Sequence, residues 1–241
     1  MDIGRNAMII DQDKIIPKSI QDLNETVLKR AFMRRIYETN LPLRYHTADM
    51  DAVKKVGINP LESAYIWGPP GGGKTYLVGG IIRTIIERDL LVQFRERNYQ
   101  RSKIAYFSIP ILMSHIRHLF NKDHQSKIIM DDEITPRVVN SIFPFSNELD
   151  LLKWIHDIHY LFLDDLGAER YTSFAEEILF MIVNQRYENM EHLCVCSNLS
   201  VHGMGNHLHD HIASRLSDSQ VTFLGFLGGT GGIDEKTGSG K

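Results

Sequence analysis

The chain has 241 residues, a length that suits one large domain with an appendage and is too short for two full domains and a linker. Its content of 43% hydrophobic and 24% charged residues is near the average of globular proteins, which excludes a collagen-like, coiled-coil or disordered chain. The formal net charge of -3 excludes a global positive field. Any binding to nucleic acid or to an anionic membrane must therefore be local.

The N-terminus and the cysteines indicate where the protein works. The first residues lack the apolar stretch of a signal peptide, and no run of about 18 apolar residues suggests a membrane span. Cys194 and Cys196 lie inside an apolar segment, so we interpret them as small core residues rather than as a disulfide or a metal site. These features favour a soluble, cytoplasmic protein without a membrane partner.

An amphipathic helix is expected near the N-terminus. Between residues 19 and 39 the apolar residues that recur at helical spacing are Ile20, Leu23, Val27 and Ala31. The helix should end before Pro42, because proline disfavours helix in the residue before it. We therefore expect a short helical appendage over residues 1–40, the main domain over residues 41–227 and a flexible, Gly-rich tail over residues 228–241.

Strand-like and helix-like apolar segments alternate after this appendage. The strand-like segments are Ala64–Trp67, Ile104–Ser108, Tyr160–Leu163 and Leu193–Cys196, and the helix-like segments are Tyr76–Glu87, Pro110–Phe120 and Phe174–Tyr187. This alternation predicts right-handed crossovers and hence an α/β fold, with a mainly parallel sheet covered by helices on both faces. Residues 121–147 interrupt the rhythm with acidic residues and prolines, and we expect an insertion there.

One segment matches the phosphate-binding pattern G-x-x-x-x-G-K-[ST] in full. It consists of Gly68, Pro69, Pro70, Gly71, Gly72, Gly73, Lys74 and Thr75, and it follows a predicted strand and precedes a predicted helix. Glycines let backbone N–H groups converge on phosphate oxygens, Lys74 reaches the β- and γ-phosphates, and Thr75 is a ligand for Mg²⁺. We expect a site for ATP and Mg²⁺ that also includes Tyr76. A Gly-rich turn that merely joins the strand to the helix is the alternative.

Two carboxylates follow the predicted strand Tyr160–Leu163. Asp164 and Asp165 would lie at the carboxyl end of that strand, where a parallel sheet places its functional loops. We expect Asp164 to hold Mg²⁺ through water and Asp165 to polarise the water that attacks the γ-phosphate. A solvated acidic turn is the alternative interpretation, and the phosphate-binding segment upstream argues against it.

Two further polar side chains are candidates for the same site. Asn198 follows the apolar segment Leu193–Cys196 and would reach the γ-phosphate or its attacking water, whereas an ordinary turn asparagine is the alternative. Arg215 lies in an amphipathic segment near the end of the main domain, as either a surface ion-pair partner or a finger that completes the site of a neighbouring copy. With Asp165, these two residues are the candidate catalytic residues.

The motifs occur in an order and spacing that resemble the bacterial helicase loaders of the DnaC/DnaI type and the related IstB transposition ATPases. The matching segments are residues 68–75, 164–170, 184–187, 197–199 and 212–216, within a region of about residues 40–225. The resemblance implies an AAA+ fold. The roles it implies are Walker A for Lys74 and Thr75, Walker B for Asp164 and Asp165, sensor 1 for Asn198, and arginine finger for Arg215.

The resemblance also implies a function: an ATP-dependent loader of a replicative DNA helicase, with slow ATP hydrolysis stimulated by DNA or by the partner. The implied partners are the hexameric helicase, gripped by the N-terminal helix, single-stranded DNA, and further copies of the chain that assemble through their nucleotide sites. An IstB-like transposition helper is one alternative. The chain lacks any arginine after Arg215, where the family carries sensor 2, so a nucleotide-binding adaptor with little turnover is another alternative.

Local contacts to single-stranded DNA would come from basic and aromatic residues ahead of the second predicted strand. These candidates are Arg95, Arg97, Tyr99, Arg101 and Lys103. The same stretch includes Glu96, so a merely solvated loop is an equal alternative.

Overall fold

A computed structural model of the chain describes residues 25–96, 99–120, 148–167, 172–204 and 210–225. The helices are α1 (Glu25–Tyr37), α2 (Asp51–Val56), α3 (Lys74–Arg95), α4 (Ile109–Phe120), α5 (Glu148–His156), α6 (Ser173–Glu188), α7 (Val201–Met204) and α8 (Asp210–Ser217). The strands are β1 (Ala64–Trp67), β2 (Ile104–Ser108), β3 (Tyr160–Leu166), β4 (His192–Ser197) and β5 (Gln220–Phe223). In this part of the chain no helix has the length and hydropathy that crossing a bilayer requires.

The five strands form one parallel sheet in the order β2-β3-β4-β1-β5. The central strand β1 pairs with β4 on one side, with Ala64 opposite Cys194, and with β5 on the other, with Ala64 opposite Gln220. The α/β fold with a parallel sheet that the sequence predicts is therefore confirmed. Because all strands run the same way, the loops that follow β1, β3 and β4 meet at one edge of the sheet.

Helices cover both faces of the sheet, and each face has its own hydrophobic core. On one face α1, α2 and α3 pack against alternate strand residues that include Ile66, Tyr106 and Phe162. On the other face α4, α5, α6, α7 and α8 pack against the intervening residues, such as Tyr65 and Leu163. This period-2 alternation explains why the strands read as continuous apolar runs in the sequence.

The N-terminal helix α1 is packed against the rest of the α/β domain. Ile36 is fully buried in the core beside α3, and the buried side chains of Arg35 and Asp89 form an ion pair of 2.6 Å. After the helix, the carbonyl oxygen of Thr39 accepts a hydrogen bond of 2.7 Å from the backbone N–H of Tyr106 in β2. The expected domain boundary at residue 40 therefore falls inside a packed unit.

Several sequence expectations lie outside the described residues: the first part of the appendage over residues 1–24, the insertion over residues 121–147 and the tail over residues 228–241. Within the described part, Cys194 and Cys196 are buried as free thiols in the core beside α3. This placement confirms their interpretation as core residues.

Candidate functional site

The phosphate-binding segment forms a tight turn between β1 and α3. Gly73 precedes the first residue of α3 with a φ of 90°, in the left-handed region that only glycine adopts without strain. A Cβ atom on Gly68 would lie 2.0 Å from the carbonyl oxygen of Leu224, so no other residue fits there. The turn thus brings the N-terminus of the long helix α3 to the carboxyl edge of the sheet, where its free N–H groups favour anions.

Lys74 is buried at this N-terminus, with 7% of its surface exposed. Its Nζ donates hydrogen bonds to the carbonyl oxygens of Gly68 (2.8 Å) and Pro69 (2.9 Å) and to Oδ1 of Asn198 (2.8 Å). Asn198 directly follows β4, so the motif lysine and the candidate sensor meet across two neighbouring strand ends. The ammonium is therefore held by three neutral oxygen acceptors. The charged oxygens of a phosphate bind a cation more strongly than such neutral acceptors do.

Asp164 is the second centre of the site and is 2% exposed. Its Oδ2 accepts hydrogen bonds from Oγ1 of Thr75 (2.6 Å) and from the hydroxyl of Tyr106 (2.8 Å), and its Oδ1 accepts one from the backbone N–H of Asp165 (2.8 Å). The threonine and the aspartate expected to hold Mg²⁺ are thus in direct contact. A hydroxyl oxygen and a carboxylate are the donors that Mg²⁺ prefers, so these residues fit the ion.

Asp165 adopts an unusual backbone conformation at the same edge. Its φ is 62°, and the pairing of β3 with β4 shifts register between Leu163 and Leu166, so the strand bulges where the two carboxylates stand. The side chain of Asp165 is exposed. Partial loss of hydration and the nearby charge of Asp164 raise the pKa of Asp165, against the opposing effect of Lys74. A raised pKa makes a carboxylate a better proton acceptor, which suits the expected role.

Arg215 is not brought together with these residues. Its guanidinium lies over the rings of Phe180 and Tyr187, 5.1 and 5.7 Å from their centroids, and donates to the carbonyl oxygen of His211 (3.0 Å). It lines a cavity of about 260 Å³ with Ser63, which immediately precedes β1. Arg215 therefore lies toward the amino ends of the strands, away from the phosphate-binding turn of its own chain.

Tyr76, expected to contact the nucleotide, points to the segment ahead of α2. Its hydroxyl accepts a hydrogen bond of 2.9 Å from the backbone N–H of Asp49, and its ring packs against the core beside α3. The contact ties the first turn of α3 to the chain that leads into the domain.

The basic and aromatic cluster considered for single-stranded DNA is engaged within the chain. Arg101 forms an ion pair with Glu38 (2.9 Å), and Lys103 forms one with Asp157 (2.9 Å). The hydroxyl of Tyr99 donates to Asp89. Arg97 lies outside the described residues. The internal pairs favour the alternative of a solvated loop over a free cationic patch.

Sequence reasoning missed Tyr106 as a member of the site. Its neighbour two residues on, Ser108, is opposite Asp164 in the β2–β3 register, so Tyr106 and Asp164 share the face that packs on α3. The strand β2 itself was predicted from its apolar run. The pairing of β2 with β3, which brings the two side chains together, depends on strand order and was not.

Comparison with solved structures supports the fold. The crystal structure of the DnaC helicase loader matches with a TM-score of 0.51 and 18% identity, over 76% of this chain and 99% of that one. The crystal structure of DnaI matches with a TM-score of 0.51 and 16% identity, over 79% and 96% of the two chains. AMPPCP-bound DnaA from Aquifex aeolicus is more distant, with a TM-score of 0.47 and 16% identity, over 72% and 44%.

Searches of protein-family models and of curated sequences find no match. The structural matches nevertheless cover nearly the whole of the two solved chains. The resemblance to the DnaC/DnaI type is therefore confirmed at the level of the fold, and the chain has the α/β fold of these two structures.

Proposed function

We propose that the chain is an AAA+ ATPase that loads a replicative DNA helicase in the cytoplasm. The observation that carries the proposal is the meeting of two pairs, Lys74 with Asn198 and Thr75 with Asp164, at one edge of the sheet. The likeness to a helicase loader, which covers 76% of this chain, supports the choice among P-loop functions.

ATP binding replaces the hydrogen bonds that Lys74 makes within the chain. When ATP enters the turn, the Nζ of Lys74 exchanges the carbonyls of Gly68 and Pro69 and the amide oxygen of Asn198 for phosphate oxygens. Thr75 and Asp164 would hold Mg²⁺, which would supply positive charge to the phosphates. The backbone N–H groups at the start of α3 orient the phosphates.

The hydrolysis step needs a proton acceptor and an oriented water. Asp165, exposed beside Asp164, accepts the proton of the attacking water, and Asn198, once released from Lys74, orients that water. Arg215 supplies positive charge to the site of an adjacent copy, because it lies away from the turn of its own chain. The proposal therefore includes self-assembly through the nucleotide sites.

The hydrolysis test compares two isosteric variants, Asp165→Asn and Asp157→Asn. The first should bind ATP as wild type does but release phosphate about 100-fold more slowly. The second, whose carboxylate pairs with Lys103 at the other edge of the sheet, should behave like wild type. Wild-type turnover in Asp165→Asn would exclude its catalytic role. A wild-type protein that binds ATP without releasing phosphate, even with single-stranded DNA and helicase, would be the nucleotide-binding adaptor.

The partner test uses a truncation chosen from the packing of α1. Deleting residues 1–40 would remove Ile36 and Arg35 from the core and confuse misfolding with lost binding. Deleting residues 1–24 leaves these contacts in place. We expect that truncation to lose co-purification with the replicative helicase and to keep wild-type ATP affinity. A truncated protein that still captures the helicase would exclude residues 1–24 as the grip and leave α1 as the candidate, and capture of a transposase on duplex DNA would favour the IstB-like role.

A further inference from the structure

We infer that Tyr106 is a positioning residue for Mg²⁺, acting through the carboxylate of Asp164. The inference rests on the proposed function, because it assigns a task to a residue behind the same site. Its basis is the hydrogen bond of 2.8 Å from the Tyr106 hydroxyl to Oδ2 of Asp164.

The position of Tyr106 itself is fixed by its surroundings. Its side chain is 5% exposed and packs in the core between the sheet and α3. Its backbone N–H donates to the carbonyl oxygen of Thr39 (2.7 Å), which anchors the outer side of the edge strand β2. The ring cannot swing away from Asp164 without opening this core, so the hydroxyl is a stationary donor.

The hydrogen bonds of Asp164 show what that donor achieves. Oδ1 is held by the backbone N–H of Asp165, and Oδ2 is held by two hydroxyls, those of Thr75 and Tyr106. Of these two hydroxyls, that of Thr75 is itself a proposed metal ligand and must also serve the ion. Tyr106 is therefore the side-chain donor that can orient the carboxylate while Thr75 binds the ion.

The hydroxyl of Tyr106 is the donor in this contact, because a carboxylate oxygen accepts hydrogen bonds. Groups that orient a metal ligand in this way typically change metal affinity about 10-fold or more when they are removed.

The test uses the full-length chain with Tyr106→Phe, which removes the oxygen and keeps the ring. Tyr160→Phe is the matched control, a tyrosine at the other end of β3 whose ring packs 4.9 Å from that of His192. Binding of a fluorescent ATP analogue is titrated against Mg²⁺ and repeated in EDTA. We expect Tyr106→Phe to need about 10-fold more Mg²⁺ for half-maximal enhancement of binding, and to match wild type in EDTA.

Each outcome separates the inference from the proposed function. An unchanged Mg²⁺ requirement in Tyr106→Phe overturns the positioning role and leaves the ATP site intact. Equal weakening of binding in EDTA overturns it as well, because the hydroxyl would then support the fold of the turn and not the metal. If the wild-type protein shows no Mg²⁺-dependent binding, the proposed function fails and the inference fails with it.

Discussion

A buried cation lies at each edge of the sheet, Lys74 at one and Arg186 at the other, and these two cations have different kinds of partner. At the carboxyl edge, Lys74 donates to two carbonyls of a Gly-rich turn and to the amide of Asn198. At the amino edge, Arg186 is fully buried. Its guanidinium donates to backbone carbonyls of Ile155, Ile158, His159 and His192. Lys74 can serve in binding, because a ligand can replace its partners. Arg186 serves the stability of the fold, because its partners are backbone groups of the core.

At the amino edge, Arg186 forms an ion pair in addition to its hydrogen bonds. Glu191 lies 3.2 Å from the guanidinium of Arg186. Burial lowers the pKa of Arg186 to about 10, and Glu191 opposes that shift, so the side chain stays charged at neutral pH. Substitutions at the two edges should therefore separate stability from nucleotide binding.

The largest effect on stability is expected from Arg186→Met. Removing the guanidinium leaves several buried carbonyls and Glu191 without their partner, so the free energy of unfolding should fall by about 3–5 kcal/mol. Urea unfolding measures the change. The control Arg34→Met, at a side chain that is 80% exposed, should change stability by less than about 0.5 kcal/mol. Equal stability of the two variants would contradict a structural role for the buried guanidinium of Arg186.

Lys74→Met should weaken ATP binding strongly and reduce stability less than Arg186→Met does. It removes the ammonium that compensates the phosphates, so ATP affinity should fall by at least about 100-fold, or about 3 kcal/mol. The loss of unfolding free energy should be smaller than in Arg186→Met, because the carbonyls of the turn can reach water. Titration with a fluorescent ATP analogue measures affinity, and Lys54→Met, at a side chain 78% exposed, is the control. Unchanged affinity in Lys74→Met would refute the phosphate-binding assignment.

A third prediction uses His192, a buried neighbour of Arg186 at the amino edge. Burial lowers the pKa of His192 to about 4, and the charge of Arg186 contributes, so the native protein keeps it neutral while the unfolded chain protonates it near pH 6.5. Stability due to this residue is complete above pH 6.5 and declines as the pH falls toward 4. Between pH 6.5 and about pH 5 the loss should be about 2 kcal/mol.

The control for this pH dependence is His192→Phe, which keeps an aromatic ring between Tyr160 and Phe162 and cannot be protonated. Its unfolding free energy should change less over the same pH range than that of wild type. Parallel curves for the two proteins would show that other groups set the acid sensitivity.

The smallest effect is expected from Ser197→Ala at the carboxyl edge. The hydroxyl donates to the carbonyl of Leu166 (2.7 Å) and accepts from the N–H of Leu199 (3.0 Å), bridging the bulge in β3 to the end of β4. Its removal should lower the unfolding free energy by about 1 kcal/mol. Thermal unfolding measures the change. The control is Ser217→Ala, which removes an exposed hydroxyl that donates to the carbonyl oxygen of Ser214. A loss as large as that of Arg186→Met would contradict the ranking.

Local sequence patterns predicted most of the fold. The bounds of β1 and β2 agree with their predicted segments, because buried strands in a parallel sheet form short apolar runs. The edge strand β5 was not predicted, since Val221 and Phe223 are exposed and the segment has only four residues. Helix α2, with six residues, is too short to show a period.

The site was predictable where a motif specifies it and not where strand order does. The contacts of Lys74 with Asn198 and of Thr75 with Asp164 follow from motifs at strand ends. Tyr106 contacts Asp164, 58 residues away, and Arg186 donates to the carbonyls of Ile155 and Ile158, 31 and 28 residues away, so no local pattern indicates these partners. The same reason explains why the domain boundary was expected at residue 40: the partner of Arg35 is Asp89, 54 residues away.

The length of α3 has a mechanical consequence. The helix has 22 residues, so it is a rod about 33 Å long whose first turn carries the phosphate-binding lysine. Asp89 lies about 22 Å along that rod from Lys74, where its buried ion pair clamps α1. Under the proposed function, a tilt of α3 on nucleotide binding would therefore also move α1.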